Sequence, residues 1–458
     1  MKHVKHSTAS DPRGLDRRAF VKSSAAIAGG VILAPGLLAR GAWAGGQETI
    51  RIGVIGSGDR GTGAAVNALE ADPAVRIVAL ADLFPERVEK SRALLAGHPQ
   101  HAARATVEPD RCYTGFDAYR ALLRSDLDAV ILTTPPHFRP AHFEAAVNAG
   151  KHIFAEKPVA VDPAGIRRFL AAAKEADRKG LSVVAGTQRR HDPAYRALIE
   201  RIRSGDLGTL VSGACWWNQG GLWVHQRKPE YSDTEWQVRN WLYFCWLSGD
   251  HIVEQHVHNI DVINWAMGTH PVKALGMGGR QVRTGPEYGN IFDHFTVQYE
   301  YPGGALVTSQ CRQIDGCASR VNEMVAGARG RARFGAARLE GDSPFKFEGE
   351  RPNPYVQEHI HLIQSIRGEG TRLNEAREVA HSTLTAIMGR LSAYTGQEVT
   401  WEQAMSADLC LDPGAYEFGP LEVDPVPVPG RTKLPAPPAA PPTAAPAATP
   451  AAAAKESP

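Results

Sequence analysis

Apolar residues form short runs along the first half of the chain, and polar stretches with helical spacing separate them. The runs lie at 49–56, 75–81, 127–133, 151–155 and 182–186, and their length and composition are typical of buried parallel strands. Helical stretches lie between them, for example at 141–149. This alternation predicts an α/β fold with a doubly wound parallel sheet. Such sheets bind ligands beyond the carboxyl ends of their strands, so the residues that follow each run form the candidate site.

The first run leads into a glycine-rich turn and then into a helical stretch. The turn reads Gly56-Ser-Gly-Asp-Arg-Gly61, and an acid ends the next run. Glycines let the backbone approach a pyrophosphate, while a carboxylate binds the adenosine ribose and favours NAD over NADP. Arg87, a few residues later, leaves NADP as the alternative. The cofactor-binding residues predicted here are Gly56, Gly58, Asp59, Arg60, Gly61 and Asp82.

Later strand ends carry more groups that can face the same ligand. They follow the runs that end at 133, 155 and 186, and parallel strands bring these ends to one edge of the sheet. Further cofactor contacts are therefore predicted for Thr133, Thr134, Pro135, His137, Glu156, Lys157 and Gln188.

A polar stripe marks the segment 250–265, which is predicted to be one continuous helix. Steps of three and four residues place the stripe on one face of an otherwise apolar helix, so it should face a cavity. Three interpretations stay open: proton transfer, a metal ion held by its histidines and glutamate, and a satisfied buried network. Proton transfer fits best, and no metal is predicted, because no supporting ligand motif occurs elsewhere. The stripe consists of His251, Glu254, His258 and Asp261.

Most of the tryptophans fall in one short segment, 216–246. Aromatic faces stack on sugar rings, and Arg239 could meet sugar hydroxyls; the equal alternative is a core or a subunit interface, where Trp is also favoured. Either way, the segment suits a carbohydrate-sized pocket.

Glu156-Lys157-Pro158 at a strand end, together with the turn at 56–61, resembles the Gfo/Idh/MocA oxidoreductases. Gly186-Thr-Gln-Arg-Arg190 and the segment 254–261 are similar to later motifs of that family, and the resemblance extends from about 49 to about 403. It implies a Rossmann domain followed by an α+β domain with an open-faced mixed sheet. It also implies NAD(P)-dependent oxidation of a sugar or cyclitol hydroxyl, and a homo-oligomer formed through that sheet.

The resemblance assigns three catalytic positions: Lys157, Glu254 and His258. His258 is expected to act as the base, Glu254 to orient it or share its charge, and Lys157 to donate to the substrate oxygen. The chain departs from the family at Glu254, where aspartate is usual, and at His256, where a small residue is common. The substrate contacts predicted are Arg189, Trp217, Arg239, Trp241, His256 and Asp261.

The two ends of the chain differ in composition from its centre. Arg17-Arg18, a mild apolar run at 25–38 and Ala42-Trp-Ala44 are typical of a twin-arginine export signal; a membrane anchor or a buried helix is the alternative. Beyond Asp424, Pro, Ala and Thr dominate, which predicts a disordered tail. The predicted organisation is a signal at 1–44, a Rossmann domain at 45–186, a substrate and oligomerisation domain at 187–423 and a tail at 424–458.

Composition and export narrow the function. The 458 residues carry a net charge of +2, which gives no reason to expect nucleic acid as a partner, and no later segment is expected to hold the mature protein in a membrane. NAD is scarce outside the cytoplasm, so an exported, periplasmic enzyme would need a tightly bound, internally recycled cofactor. Such an enzyme could oxidise one sugar and reduce another, or hydrolyse a glycoside through a transient keto-sugar. A non-catalytic, nucleotide-containing binding protein is the remaining alternative.

Overall fold

The computed structural model describes residues 48–436, so the predicted signal at 1–44 and most of the predicted tail lie outside the described residues. Within this range the first sheet has six parallel strands in the order β3-β2-β1-β4-β5-β6. This order is the doubly wound one and confirms the predicted Rossmann fold. Its strands are β1 Ile50–Ile55, β2 Val75–Asp82, β3 Cys112–Thr114, β4 Ala129–Leu132, β5 His152–Ala155 and β6 Val183–Ala185.

Helices connect these strands and cover both faces of the sheet. Some carry local start signals: α6 begins where Asp162 accepts from the backbone of Gly165 at 2.6 Å and Pro163 occupies the first turn. The helices are α1 Asp59–Ala71, α2 Pro85–Ala96, α3 Ala102–Ala105, α4 Ala118–Leu123, α5 Arg139–Asn148 and α6 Pro163–Arg178.

The second sheet has nine strands and is mixed, because β7 and β10 run parallel while the other pairs are antiparallel. Its strand order is β14-β13-β12-β11-β7-β10-β9-β8-β15. This arrangement confirms the predicted mixed sheet. The strands are β7 Leu210–Gln219, β8 Lys273–Gly279, β9 His294–Glu300, β10 Leu306–Gln313, β11 Arg320–Gly327, β12 Gly330–Arg333, β13 Arg338–Gly341, β14 Phe345–Lys346 and β15 Val399–Thr400.

Helices pack on one face of the mixed sheet, and the other face exposes apolar side chains such as Leu275, Met277 and Leu306. No helix among residues 48–436 has both the length and the apolar character needed to cross a bilayer. The remaining helices are α7 Pro193–Arg203, α8 Asp233–Arg239, α9 Cys245–Ser248, α10 His251–Glu254, α11 Val257–Met267, α12 Pro354–Arg367, α13 Ala376–Thr395 and α14 Trp401–Ser406.

The buried core of the first domain extends beyond residues 45–186, because α12 packs on it. Leu362, Ile363 and Ile366 lie in the same buried cluster as Ile50 of β1. The segment that follows pairs with β6, where Val183 donates to the carbonyl of Leu373 at 2.9 Å. The core of the first domain is therefore completed by residues from late in the chain.

The predicted continuous helix at 250–265 is divided into α10 and α11. The break at Gln255 and His256 has a clear cause, since both side chains bind to the sheet beneath. Gln255 accepts from Gln313 at 2.7 Å, and His256 Nε2 lies 2.8 Å from the Ser309 hydroxyl. The four stripe residues have different surroundings: Glu254 and His258 line one cavity, whereas His251 packs on Phe295 and Asp261 pairs with Arg190.

The segment after α14 is ordered beyond the predicted start of the tail at Asp424. It continues as an irregular arm to Ala436, whose carbonyl accepts from the backbone of Asp408 at 2.8 Å. Gly430 donates to the carbonyl of Thr395 at 2.9 Å. Proline limits regular structure here without preventing the arm from packing on the body of the protein.

Candidate functional site

Two cavities lie side by side along the carboxyl edge of the first sheet. The first holds about 470 Å³ and contains Asp82; the second holds about 960 Å³ and contains Lys157. Thr134 lines both of them, so the two cavities adjoin, and together they are called the cleft below. Its position matches the place where parallel sheets bind ligands.

The glycine-rich turn borders this cleft and has the shape that a dinucleotide phosphate needs. Gly56 has a φ of +99°, and a Cβ at Gly61 would collide with the carbonyl of Gly56. Thr133 Oγ1 donates to that same carbonyl at 2.7 Å and fixes the turn against β4. The side of Gly58 where a side chain would stand is open space, so a ligand can approach the backbone of Gly58 closely.

Asp82 lies in the first cavity and is 7% exposed. Its carboxylate accepts from the backbone of Phe84 at 3.0 Å, while burial raises its pKa and the charge of Arg87 opposes that rise. Arg87 also lines this cavity. A buried acceptor at the end of β2 fits the hydroxyls of an adenosine ribose, so the residues present fit NAD.

Lys157 and Glu254 meet in the second cavity, although they come from different domains. Lys157 Nζ donates to the carbonyl of Glu254 at 2.7 Å and to its Oε1 at 3.2 Å. An ammonium has three donors, so one N–H of Lys157 is left for a further acceptor. The pair therefore presents a directed donor to whatever occupies the cavity.

A backbone constraint at Asp250 places Glu254 opposite Lys157. Asp250 has a φ of +70°, which is uncommon for a residue other than glycine, and it precedes α10 directly. Its carboxylate accepts from the backbone of Phe292 at 2.7 Å and from the hydroxyl of Tyr394 at 2.6 Å. Burial raises the pKa of Asp250 to about 6. These bonds hold the turn from which α10 starts.

His258 lines the same cavity as Lys157 and Glu254. Burial lowers its pKa well below the ordinary value, and the positive charges of Lys157 and Arg189 add to the effect. The imidazole is therefore neutral near neutral pH and can accept a proton. The structure brings all three predicted catalytic residues to one place.

An aromatic and ionic support lies behind His258. The ring of Trp217 stacks on it at 5.7 Å between centroids, and the guanidinium of Arg189 lies 5.5 Å from the Trp217 ring centroid. Arg189 is held in turn by the buried carboxylate of Glu323 at 2.5 Å. Trp217 and Arg189, predicted as substrate contacts, thus lie behind His258 and outside the lining of the cavity.

Sequence reasoning missed Tyr355 and Glu358, which α12 brings to this site. Tyr355 lines the second cavity, and Arg60 forms ion pairs with both Glu156 and the fully buried Glu358. Burial and the neighbouring charge of Glu156 raise the pKa of Glu358 well above its ordinary value. No local motif marks these residues, since they lie on an ordinary-looking helix far along the chain.

The other predicted cofactor residues divide into two groups. Residues that line the cleft are Arg60, Asp82, Thr133, Thr134, Pro135, Glu156 and Lys157. Three lie outside its lining: Asp59 faces solvent and pairs with Lys90, Gln188 donates to Tyr355, and His137 bonds the hydroxyl of Tyr416 at 2.8 Å.

Of the predicted substrate contacts, Trp241 lines the second cavity. His256 is fully buried on the sheet and Asp261 forms a two-point ion pair with Arg190 at 2.8 Å, so neither is brought to the cleft. Arg239 lies near the Asp82 cavity, where it pairs with Glu86. His256 lies two residues after Glu254, so on a helix it points away from the face that carries Glu254 and His258, whereas Asp261 lies beyond the break at 255–256 and pairs with Arg190.

His251, Glu254 and His258, which were considered as a metal site, do not all meet, because His251 lies apart from the other two. His251 packs edge-on against the Phe295 ring at 5.1 Å, away from Glu254 and His258. Between residues 48 and 436, no group of three or more His, Cys, Asp or Glu is arranged to hold a metal ion.

A doubly wound sheet with this turn and a buried acid at the end of β2 defines a dinucleotide-binding domain. Residues 50–184 match the model of an oxidoreductase family with an NAD-binding Rossmann fold, and residues 195–333 match the GFO/IDH/MocA C-terminal domain. Together these matches cover more than half of the sequence. The chain belongs to the GFO/IDH/MocA oxidoreductase family, and its cofactor is NAD.

Individual proteins agree with this assignment. The inositol 2-dehydrogenase of Rubrobacter xylanophilus is 29% identical over 62% of this chain and 71% of its own. The 2,7-anhydro-N-acetylneuraminate hydratase of Escherichia coli is 28% identical over 41% of this chain and 46% of its own. The structure of scyllo-inositol dehydrogenase from Lactobacillus casei with bound NAD(H) and scyllo-inositol has a TM-score of 0.59 at 18% identity, covering 78% of this chain and 100% of that one; at this identity it supports the fold alone.

The burial of His256 has a measurable consequence for stability. Burial lowers its pKa to about 3, whereas an unfolded histidine binds a proton below about pH 6.5. Between these values the unfolded chain holds one more proton, so stability falls as pH falls. We expect His256→Gln to make the free energy of unfolding less dependent on pH between 4.5 and 5.5, by about 1.4 kcal/mol per pH unit. Urea unfolding at several pH values measures this slope, and an unchanged slope would place His256 in contact with water.

Proposed function

We propose that the chain oxidises a secondary hydroxyl of a sugar, cyclitol or glycoside, using NAD that stays tightly bound and is regenerated in place. The observation that carries the proposal is the meeting of Lys157, Glu254 and His258 in one cavity at the carboxyl edge of the Rossmann sheet. The family supports an oxidoreductase with NAD, and the relatives named for inositol support a polyhydroxylated substrate.

The residues of the cavity divide the work of alcohol oxidation. NAD, when bound, would supply the hydride acceptor for the carbinol carbon. A neutral ring nitrogen of His258 accepts the hydroxyl proton, so that no protonated ketone has to form. Lys157 directs its remaining N–H to the substrate oxygen and stabilises the charge that develops there. Glu254 orients the ammonium through the two bonds that it accepts.

Other groups in the cavity suit a carbohydrate. Trp241 offers an aromatic face for the C–H side of a sugar ring, and Tyr355, Arg60 and Asn67 are polar groups able to meet hydroxyls. These residues line one concave cavity, as is usual for a site that binds a small molecule. We also propose a homo-oligomer, formed through the sheet face that exposes Leu275, Met277 and Leu306.

We expect Lys157→Met and His258→Gln each to slow reduction of bound nicotinamide by about 10²- to 10⁴-fold, because each removes a group that acts only during proton and hydride transfer. Single-turnover absorbance of the reduced nicotinamide measures the rate, and calorimetry checks that NAD still binds. His256→Gln is the matched control, since that histidine lies outside the cavity and should keep the rate. Equal loss in all three variants would contradict the assigned roles.

A second candidate is redox-neutral hydrolysis of a glycoside through a transient keto-sugar. A relative named as a hydratase supports it, because addition of water involves no net oxidation. The same three residues would serve both reactions, since each begins with oxidation of a hydroxyl.

Product analysis distinguishes these functions. With mature protein, sugar pairs and aryl glycosides but no added nucleotide, we expect many turnovers per bound NAD. Equal amounts of an oxidised and a reduced product would support transfer between sugars, and hydrolysis products alone would support the second candidate. Accumulation of free NADH, with a requirement for added NAD at each turnover, would overturn internal recycling. Failure of every substrate to reduce the bound nicotinamide would favour the non-catalytic binding protein.

We further propose export through the twin-arginine route, on the pattern at Arg17-Arg18 and Ala42-Trp-Ala44. That route carries folded proteins, which is compatible with a cofactor loaded before export. Replacement of both arginines by lysine should leave the precursor in the cytoplasm, as cell fractionation would detect. N-terminal sequencing of the exported protein should read from near Gly45, and normal export of the lysine variant would contradict the assignment.

A further inference from the structure

Arg239 lies at the adenosine end of the cleft and not at the predicted substrate end. Its guanidinium carbon lies 3.8 Å from the ring centroid of Phe84, a residue that lines the Asp82 cavity. It also pairs with Glu86 of α2 at 2.6 Å and with Glu235 of its own helix at 2.9 Å. The second domain therefore reaches over the rim of the first through the end of α8, whose Val238 lines the same cavity.

The C-terminal arm holds α8 in this position. The carbonyl of Gly419 accepts from both the backbone and the hydroxyl of Thr234, each at 3.1 Å. The carbonyl of Leu421 accepts from the side chain of Gln237 at 2.8 Å, and its N–H donates to Asp233 at 3.2 Å. These four hydrogen bonds fix the short helix α8 to the arm.

The arm also packs on the walls of the Asp82 cavity. Phe418 lies 6.0 Å from Phe84 and 5.5 Å from Phe116, and Tyr416 lies 5.9 Å from Phe138, measured between ring centroids. Phe84, Phe116 and Phe138 all line the cavity. The arm thus contacts the first domain through rings and α8 through hydrogen bonds.

We propose that α8 and residues 416–421, here called the clasp, retain the adenosine half of the dinucleotide. This rests on the proposed function, because it supplies the physical means by which NAD would stay bound between turnovers. The Phe84 wall and α8 have to separate before the adenosine can leave. Separation breaks the Arg239–Glu86 pair and the ring contacts of Phe418 together, so release is slow while the clasp is closed.

Dissociation of NADH from the full-length mature holoenzyme tests the clasp. We expect Arg239→Gln and Phe418→Ala to speed release by about tenfold or more, measured by the loss of bound-NADH fluorescence after addition of excess NAD. Val428→Ala is the matched control, since Val428 lies on the same arm, is exposed and stands outside the clasp. Unfolding midpoints show whether each variant remains folded.

A second variant excludes a trivial loss of stability. Glu86→Cys combined with Arg239→Cys places one thiol on α2 and one on α8, on opposite sides of the contact that must break when the clasp opens. Joining the two thiols with a short, reducible bifunctional thiol reagent should slow NADH release and cleavage of the reagent should restore it, whereas a destabilised fold could only release faster. The wild-type protein, whose cysteines are all free within the described range, is treated with the same reagent for comparison.

The outcomes separate the two proposals. Release at the wild-type rate from both single variants and from the cross-linked pair would overturn the clasp and leave the proposed function standing. Wild-type protein that binds no dinucleotide would contradict the proposed function itself. Faster release from the single variants, with slower release from the cross-linked pair, supports both.

Discussion

The ion pair between Lys157 and Glu254 is the interaction on which the site depends. It joins the strand end of one domain to a helix of the other, and its two side chains are only 12% and 14% exposed. A buried charge without its partner is strongly unfavourable, so the pair keeps the two domains in the relation that forms the cavity. Asp250 supports this pair. Its positive φ is an unfavourable backbone conformation, but it starts α10 at the place from which Glu254 reaches Lys157.

His258 and Lys157 share one cavity but have different partners. Burial lowers the pKa of His258, whose ring stacks on Trp217, whereas Lys157 Nζ binds a carboxylate oxygen and the carbonyl of Glu254. The cavity thus holds one fixed donor and one free acceptor. Alcohol oxidation requires both, since a proton must leave the hydroxyl while charge at the oxygen is stabilised.

The first domain and the convergence of Lys157, Glu254 and His258 were predictable from short motifs: a glycine turn after an apolar run, an acid at a strand end, a Glu-Lys-Pro motif and the family-like segment 254–261. The residues that form the walls of the pocket were harder to predict from the sequence. Tyr355 and Glu358 reach the site through the return of α12, whereas His256 points to Ser309 on the sheet. Such contacts join residues that are distant in sequence, so no local pattern indicates them. The composition of the proline-rich arm likewise gave no signal that residues 424–436 would pack on the body of the protein. The twin-arginine segment and the oligomer stay predictions.

The return of α12 also constrains how the protein is made. Ile50 and its neighbours in β1 have no complete core until Ile363 and Ile366 are available. During synthesis the ribosome must therefore release nearly the whole polypeptide before the nucleotide-binding half can finish folding. A fragment ending near Ala185 would leave that apolar surface in water and would be prone to aggregate. The sheet that starts first is thus among the last parts to be finished.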